Sequence, residues 1–467
     1  MSLAADAAAT LQPGFSGTVV PEWLVEAYAG GLVSVCLYGD NVAPDGGLAR
    51  VCADLRHRLP GALLAVDEEG GDVTRVHYPQ GSTAVGNAVL GRLDDEGLTR
   101  RSAASIGAEL AVLGIGLDLA PVLDVNSSPD NPVIGVRSLG ADPGLVARHG
   151  TAWVQGLQST GVAACAKHFP GHGDTVVDSH HGLPRVDAPL EVLRERELVP
   201  FAAAVRAGVA SVMTSHVVLT ALDAHRPATF SPAVVGLLRD ELAFDGVVVS
   251  DALDMAGASA ETGVPEAAVR ALAAGVDLLC LGSATTSERY ADVHAAVVAA
   301  VGSGRLARER VAEAAARVRA LAERHRPLPG SSRARTGAAP SDAEVARAFT
   351  TSDSVRTFVA DPAPLAVVQV GSGSNLAVGD VAWGPQSLDA TVDAATVPAG
   401  SKVAVVGRAL SPEHRAHAVV AGLRQAGHRV VLVECGWPRG GADIETYGGS
   451  PAVARALLAL LRGEVPR

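Results

Sequence analysis

Residues 244–255 read FDGVVVSDALDM. Three consecutive valines follow Gly246, and the run Gly246–Ser250 gives way at once to a lone carboxylate, Asp251. A strand that is apolar at every position, and not at alternate ones, is buried on both faces, as in a parallel sheet covered by helices. The same grammar recurs along the chain at Ala7–Leu11, Ser34–Tyr38, Ala62–Val66, Leu117–Leu123, Ala163–Ala166, Ser211–Thr214 and Asp277–Leu281. Of these runs, Ala7–Leu11 (AAATL) suits a helix equally well. Segments such as LARVCADLRHRLPG and VPEAAVRALAAG lie between them, with Ala and Leu at helical spacing. Eight strands alternating with helices define an α/β protein with a (β/α)8 TIM-like barrel over residues 1–326.

Beyond Arg326 the composition shifts. RPLPGSSRARTGAAPSD is rich in Pro, Gly, Ser and Arg and reads as an exposed linker within 327–349. LAVVQV, KVAVVG and RVVLVE then read as buried strands, with HRAHAVVAGLRQAG as a helix closed by glycine. Residues 350–467 are thus expected to form a small αβα sandwich.

The formal net charge is −12, which argues against nucleic acid or an anionic membrane as a partner, since both need a basic footprint. Five cysteines are scattered without metal-binding spacing and read as buried core residues. The N-terminal stretch has no basic region followed by an apolar one, and no apolar run approaches a membrane span. The expectation is a soluble cytoplasmic protein with reduced thiols and no cofactor.

Five of the strands end in titratable residues: Asp67, Asp124, Lys167 with His168, His216, and Asp251. Barrel enzymes collect such residues into one pocket at the C-terminal ends of the strands. The densest stretch is KHFPGHGDTVVDSHH, residues 167–181, with four of the chain's fourteen histidines. Asp178 and His180 stand two residues apart in what must be a loop, where the carboxylate can orient the imidazole and keep it protonated. Such a pair suits proton transfer. His172, Asp174 and His181 read as shaping the loop. Asp251, on an apolar strand and open to the pocket, stands where a barrel carries a nucleophile. Asp254 is a rival that more readily begins the following helix.

These stretches resemble glycoside hydrolase family 3, in its β-N-acetylglucosaminidase branch. The resemblance is carried by KHFPGHGDTVVDSH, PGFSG, VDEEGGDVTR, APVLDVN, NPVIGVRSLG, VMTSHV and FDGVVVSDALDM, across about residues 10 to 325. It implies Asp251 as nucleophile, His180 as acid/base with Asp178 as its partner, and Asp67, Arg75, Arg137, Lys167 and His168 as sugar ligands. It implies a retaining exo-β-N-acetylglucosaminidase acting on a small sugar substrate, with peptidoglycan fragments as the source. Phosphorolysis and β-glucosidase activity stay open as related alternatives. A metal-dependent barrel hydrolase and a catalytically inactive sugar-binding protein are the readings from other classes.

Overall fold

The computed structural model describes residues 1–42, 48–175, 177, 182–326, 338–371 and 377–465. Eight short strands form the barrel: β1 (Leu11–Gln12), β2 (Ser34–Leu37), β3 (Leu63–Val66), β4 (Leu117–Asp118), β5 (Ala163–Phe169), β6 (Ser211–Thr214), β7 (Val247–Val249) and β8 (Leu279–Cys280). Strands β2 to β7 run parallel, side by side, in sequence order. Strand β8 pairs with β1 in parallel and meets β7 through the Val249–Leu278 bridge. The Cys36 N–H donates to Pro13 O at 3.0 Å and ties β1 to β2, completing the ring.

Alternation fills the barrel. Along β3, Leu63 and Ala65 belong to the inner cluster with Cys36, Leu117, Ala163, Cys165, Met213 and Val249. Leu64 and Val66 belong to the outer one, under the helices. Both sets are buried, hence the continuous apolar runs. All five cysteines are buried and outside any disulfide.

The first expected strand is corrected. Leu3–Ala9 forms helix α1, whose Ser2 side chain accepts from Ala5 N–H, and only Leu11–Gln12 pairs as strand. Five alanines and a serine cap favour helix, and Asp6 clips it to Arg308 and Arg319 of helix α2 (Arg308–Arg324). Strand β5 also runs further than the apolar count predicts, so Lys167 and His168 sit on the strand itself.

The C-terminal part has five strands: β9 (Thr350–Thr351), β10 (Leu365–Gln369), β11 (Lys402–Gly407), β12 (Arg429–Glu434) and β13 (Ile444–Glu445). They lie in the order β9-β13-β12-β11-β10, with β9 antiparallel to β13 and the other pairs parallel. One face packs on helix α3 (Arg415–Gln425) through Ala416, Val420 and Leu423. The other face packs on helix α4 (Pro451–Arg462), capped by Ser450 and stopped by Gly463. Ten of the twelve α4 residues are buried, so this helix is shared between the sheet and its surroundings. A short helix, Asp342–Ala346, lies within the stretch that reads as linker and buries Val345. Among the described residues, no helix is long and apolar enough to cross a membrane.

Candidate active site

The C-terminal ends of the barrel strands open on a cavity of about 570 Å³. Asp67, Arg75, Arg137, Lys167, His168 and Asp251 all line it. Asp178 and His180 lie outside the described residues.

Lys167 is buried, and its Nζ lies 2.6 Å from Asp67 Oδ1 and 2.7 Å from Glu69 Oε1. Arg137 donates to both Glu69 oxygens, from Nε at 2.9 Å and from Nη2 at 2.7 Å. Two cations and two carboxylates thus form a balanced quartet, which makes their burial tolerable. Burial alone would raise the Glu69 carboxyl, but Arg137 and Lys167 outweigh it and hold it well below the usual carboxylate range. Burial would likewise depress the Lys167 ammonium, but Asp67 and Glu69 outweigh it and push it above the ordinary lysine value. The quartet offers a sugar's hydroxyls both donors and acceptors.

Asp124 fixes the next element. Its Oδ2 lies 2.7 Å from His168 Nδ1, and its Oδ1 accepts from the backbone N–H of His168 and of His172. A carboxylate there can only accept, so His168 Nδ1 carries the proton. Burial would raise Asp124, but the neighbouring His168 outweighs it and holds it low. His172 is buried, which lowers its pKa to about 4 and keeps it neutral. It lines the cavity with Nδ1 against Thr175 Oγ1 at 2.8 Å. Gly173 explains part of the PGHG stretch: a Cβ there would fall 1.8 Å from Val125 O.

Asp251 is half-buried at the end of β7. Its N–H donates to Thr214 O at 3.2 Å, and its Oδ1 accepts from Ala252 N–H at 2.8 Å. His216 is fully buried beneath this segment, with Nε2 on Ala252 O at 3.0 Å. It supports the chain after Asp251 and does not line the cavity, so it does not join the site as its strand-end position predicts. Asp254 stands in a turn before the Ala256–Ser259 helix, exposed and lining the cavity.

Sequence reasoning left Glu69 and Asp124 without roles. The acidic run VDEEGG was the signal for Glu69, and its partners came from β5 and the 135–137 turn. Among the described residues, no group of three or more His, Cys, Asp or Glu is placed to hold a metal ion.

An eight-stranded barrel whose mouth gathers carboxylates, cations and imidazoles around one cavity is the layout of a barrel enzyme's active site. The family model described as "Glycosyl hydrolase family 3 N terminal domain" matches residues 16–321, and the chain belongs to this family. It is similar to Beta-hexosaminidase A of Pseudoalteromonas piscicida, at 37% identity over 297 residues, 59% of this chain and 49% of that protein. It is also similar to Beta-hexosaminidase LpqI of Mycobacterium tuberculosis, at 40% identity over 240 residues, 50% of this chain and 61% of that protein. The chain therefore spans about half the length of the first of these relatives and about three-fifths of the second. Among solved structures, a glycoside hydrolase family 3 beta-N-acetylglucosaminidase from Paenibacillus sp. str. FPU-7 superposes with a TM-score of 0.86 at 32% identity, covering 100% of this chain and 97% of that one.

Proposed function

We propose that this protein is a retaining β-N-acetylglucosaminidase that releases N-acetylglucosamine from the non-reducing end of β-linked glycosides. One observation carries the reading: Asp251, among the described residues the only acidic strand-end group outside the ion-paired quartet to line the cavity, shares it with that quartet and with His168. The names of the similar proteins support the sugar, and the 167–180 sequence supports the proton donor.

In this reading Asp67, Arg75, Arg137, Lys167 and His168 hold the sugar's hydroxyls. Asp251 attacks the anomeric carbon through an oxocarbenium-like transition state, and His180, oriented by Asp178, protonates the departing oxygen. A glycosyl ester on Asp251 results. Neutral His180 then takes a proton from water, which opens the ester with overall retention. A peptidoglycan fragment as substrate, a cytoplasmic setting and a domain division within 327–349 belong to the same proposal.

A second outcome is favoured by the acid/base being a histidine. After giving up its proton it carries no negative charge, so an anionic acceptor such as phosphate is not repelled. The test is turnover of p-nitrophenyl N-acetyl-β-glucosaminide against the corresponding glucoside, with and without phosphate. Strong preference for the N-acetyl sugar with free N-acetylglucosamine as product is expected. A sugar 1-phosphate would make the enzyme a phosphorylase, and preference for the glucoside would overturn the substrate assignment.

A further inference from the structure

We infer that the C-terminal domain sets the affinity of the sugar pocket by clamping the loop that carries Arg75, with Arg408 and Tyr78 as positioning residues. The inference rests on Arg75 being a sugar ligand, as in the proposed function.

The loop after β3, residues 67–78, carries Asp67, Glu69 and Arg75 into the cavity. Its inner side is stapled by Glu68, whose Oε2 accepts from Thr74 Oγ1, Arg75 N–H and Val76 N–H at 2.8–2.9 Å. Gly71 at φ +63° is pressed to within 2.5 Å, for a notional Cβ, of Gly86 Cα. The barrel therefore fixes the loop's path but leaves its outer side chains to be held from elsewhere.

The C-terminal domain holds them. Asp72 is buried, with Oδ1 accepting from Gly449 N–H at 3.0 Å and Oδ2 lying 3.2 Å from Arg408 Nη2. Arg408 Cζ lies over Trp383, 4.3 Å from the ring centroid, a cation–π contact that helps hold the guanidinium in place. Arg75 donates from Nη2 to Ala377 O at 2.7 Å, and Ala377 itself lines the cavity. Tyr78 lies under the Arg75 guanidinium at 5.8 Å, and its Oη accepts from Asp380 N–H at 3.0 Å. Val73, Val378 and Val381 form a small apolar cluster against Tyr78. The bonds of Asp72, Arg75 and Tyr78 and the Val73 contact join the second domain to one short loop, and in the proposed function that loop's pocket-facing members bind and do not react. Loosening the clamp should weaken ground state and transition state alike, raising KM while sparing kcat.

The experiment is steady-state kinetics on the full chain with p-nitrophenyl N-acetyl-β-glucosaminide. Arg408→Ala and Tyr78→Phe are each made alone and on an Arg75→Ala background, with thermal unfolding as the control for folding. Arg408→Ala is expected to raise KM about tenfold, and Tyr78→Phe severalfold, with kcat within about twofold of the parent. On the Arg75→Ala background neither change should raise KM further, because the group they position is gone. Unchanged KM in folded variants, or the same factor with Arg75 absent, overturns the inference. Should Arg408→Ala not fold, Tyr78→Phe, which removes a single oxygen, decides alone. A wild-type enzyme inactive on this glycoside would instead overturn the proposed function.

Discussion

Asp251 is placed by its strand and held by its neighbours. Thr214 O fixes its backbone, Ala252 N–H engages one carboxylate oxygen, and buried His216 holds the Ala252 carbonyl from below. An amide at this position keeps the shape and cannot form a glycosyl ester. Asp251→Asn should therefore lower turnover of the aryl N-acetylglucosaminide by at least about a thousandfold, with a thermal midpoint close to the wild type's. Activity surviving there and lost in Asp254→Asn would give the proposed nucleophile role to Asp254 instead. That six of the expected residues line one cavity was legible from their strand-end or motif positions, because a barrel converts chain order into convergence at one mouth. Glu69 was not, because its importance comes from Lys167 and Arg137, which reach it from β5 and from the 135–137 turn. His216 misled for the complementary reason: a strand-end histidine can point under the site as easily as into it.

At the level of elements, the connection after β5 rests on a buried carboxyl. Glu197 precedes the Leu198–Arg206 helix, is 3% exposed, and lies under Gly171, where a Cβ would come within 2.5 Å of its Cγ. Its Oε1 accepts from Arg196 Nε at 2.6 Å, and Arg196 also bonds Asp174. Oε2 has no hydrogen-bond partner among the described residues. Burial pushes this carboxyl up from 4.5 to about 7, despite Arg196. Between those values the folded chain keeps a proton that the unfolded chain has released. The stability linked to the neutral form is then complete below pH 4.5 and lost as pH rises through about 7. Glu197→Gln fixes the neutral form and preserves an acceptor for Arg196. Its thermal midpoint relative to the wild type should climb between pH 5 and pH 8, by at most about 3 kcal/mol of stability. A difference that stays flat across that range would mean Glu197 is ionised throughout. None of this is readable from sequence, where Glu197 is one acid in a charged helical stretch, RERELVP. Element boundaries failed for a related reason at the N-terminus. Ala7–Leu11 is apolar in either conformation, and the cap at Ser2 together with the Asp6–arginine clip decides for helix.

On the scale of the whole molecule, the two parts were legible as a barrel pattern, a change of composition and a second set of apolar strands. Their contact was not, because Asp72, Arg75 and Tyr78 find partners some three hundred residues away or more. Binding and docking are reciprocal: if the clamp strengthens sugar binding, bound sugar must strengthen the clamp by the same factor. Two amide protons report on it directly. Asp380 N–H donates to Tyr78 Oη, and Gly449 N–H donates to Asp72 Oδ1, so both are protected only while the domains are docked on the loop. With N-acetylglucosamine at about a hundred times its dissociation constant, a ligand specific for the docked form would slow their exchange by up to about a hundredfold. Hydrogen exchange read by mass spectrometry on peptides covering 377–384 and 446–450 measures this. Peptides around Lys167 serve as the control for occupancy. Protection there without any change at 377–384 and 446–450 would show that the sugar site and the domain contact are energetically separate.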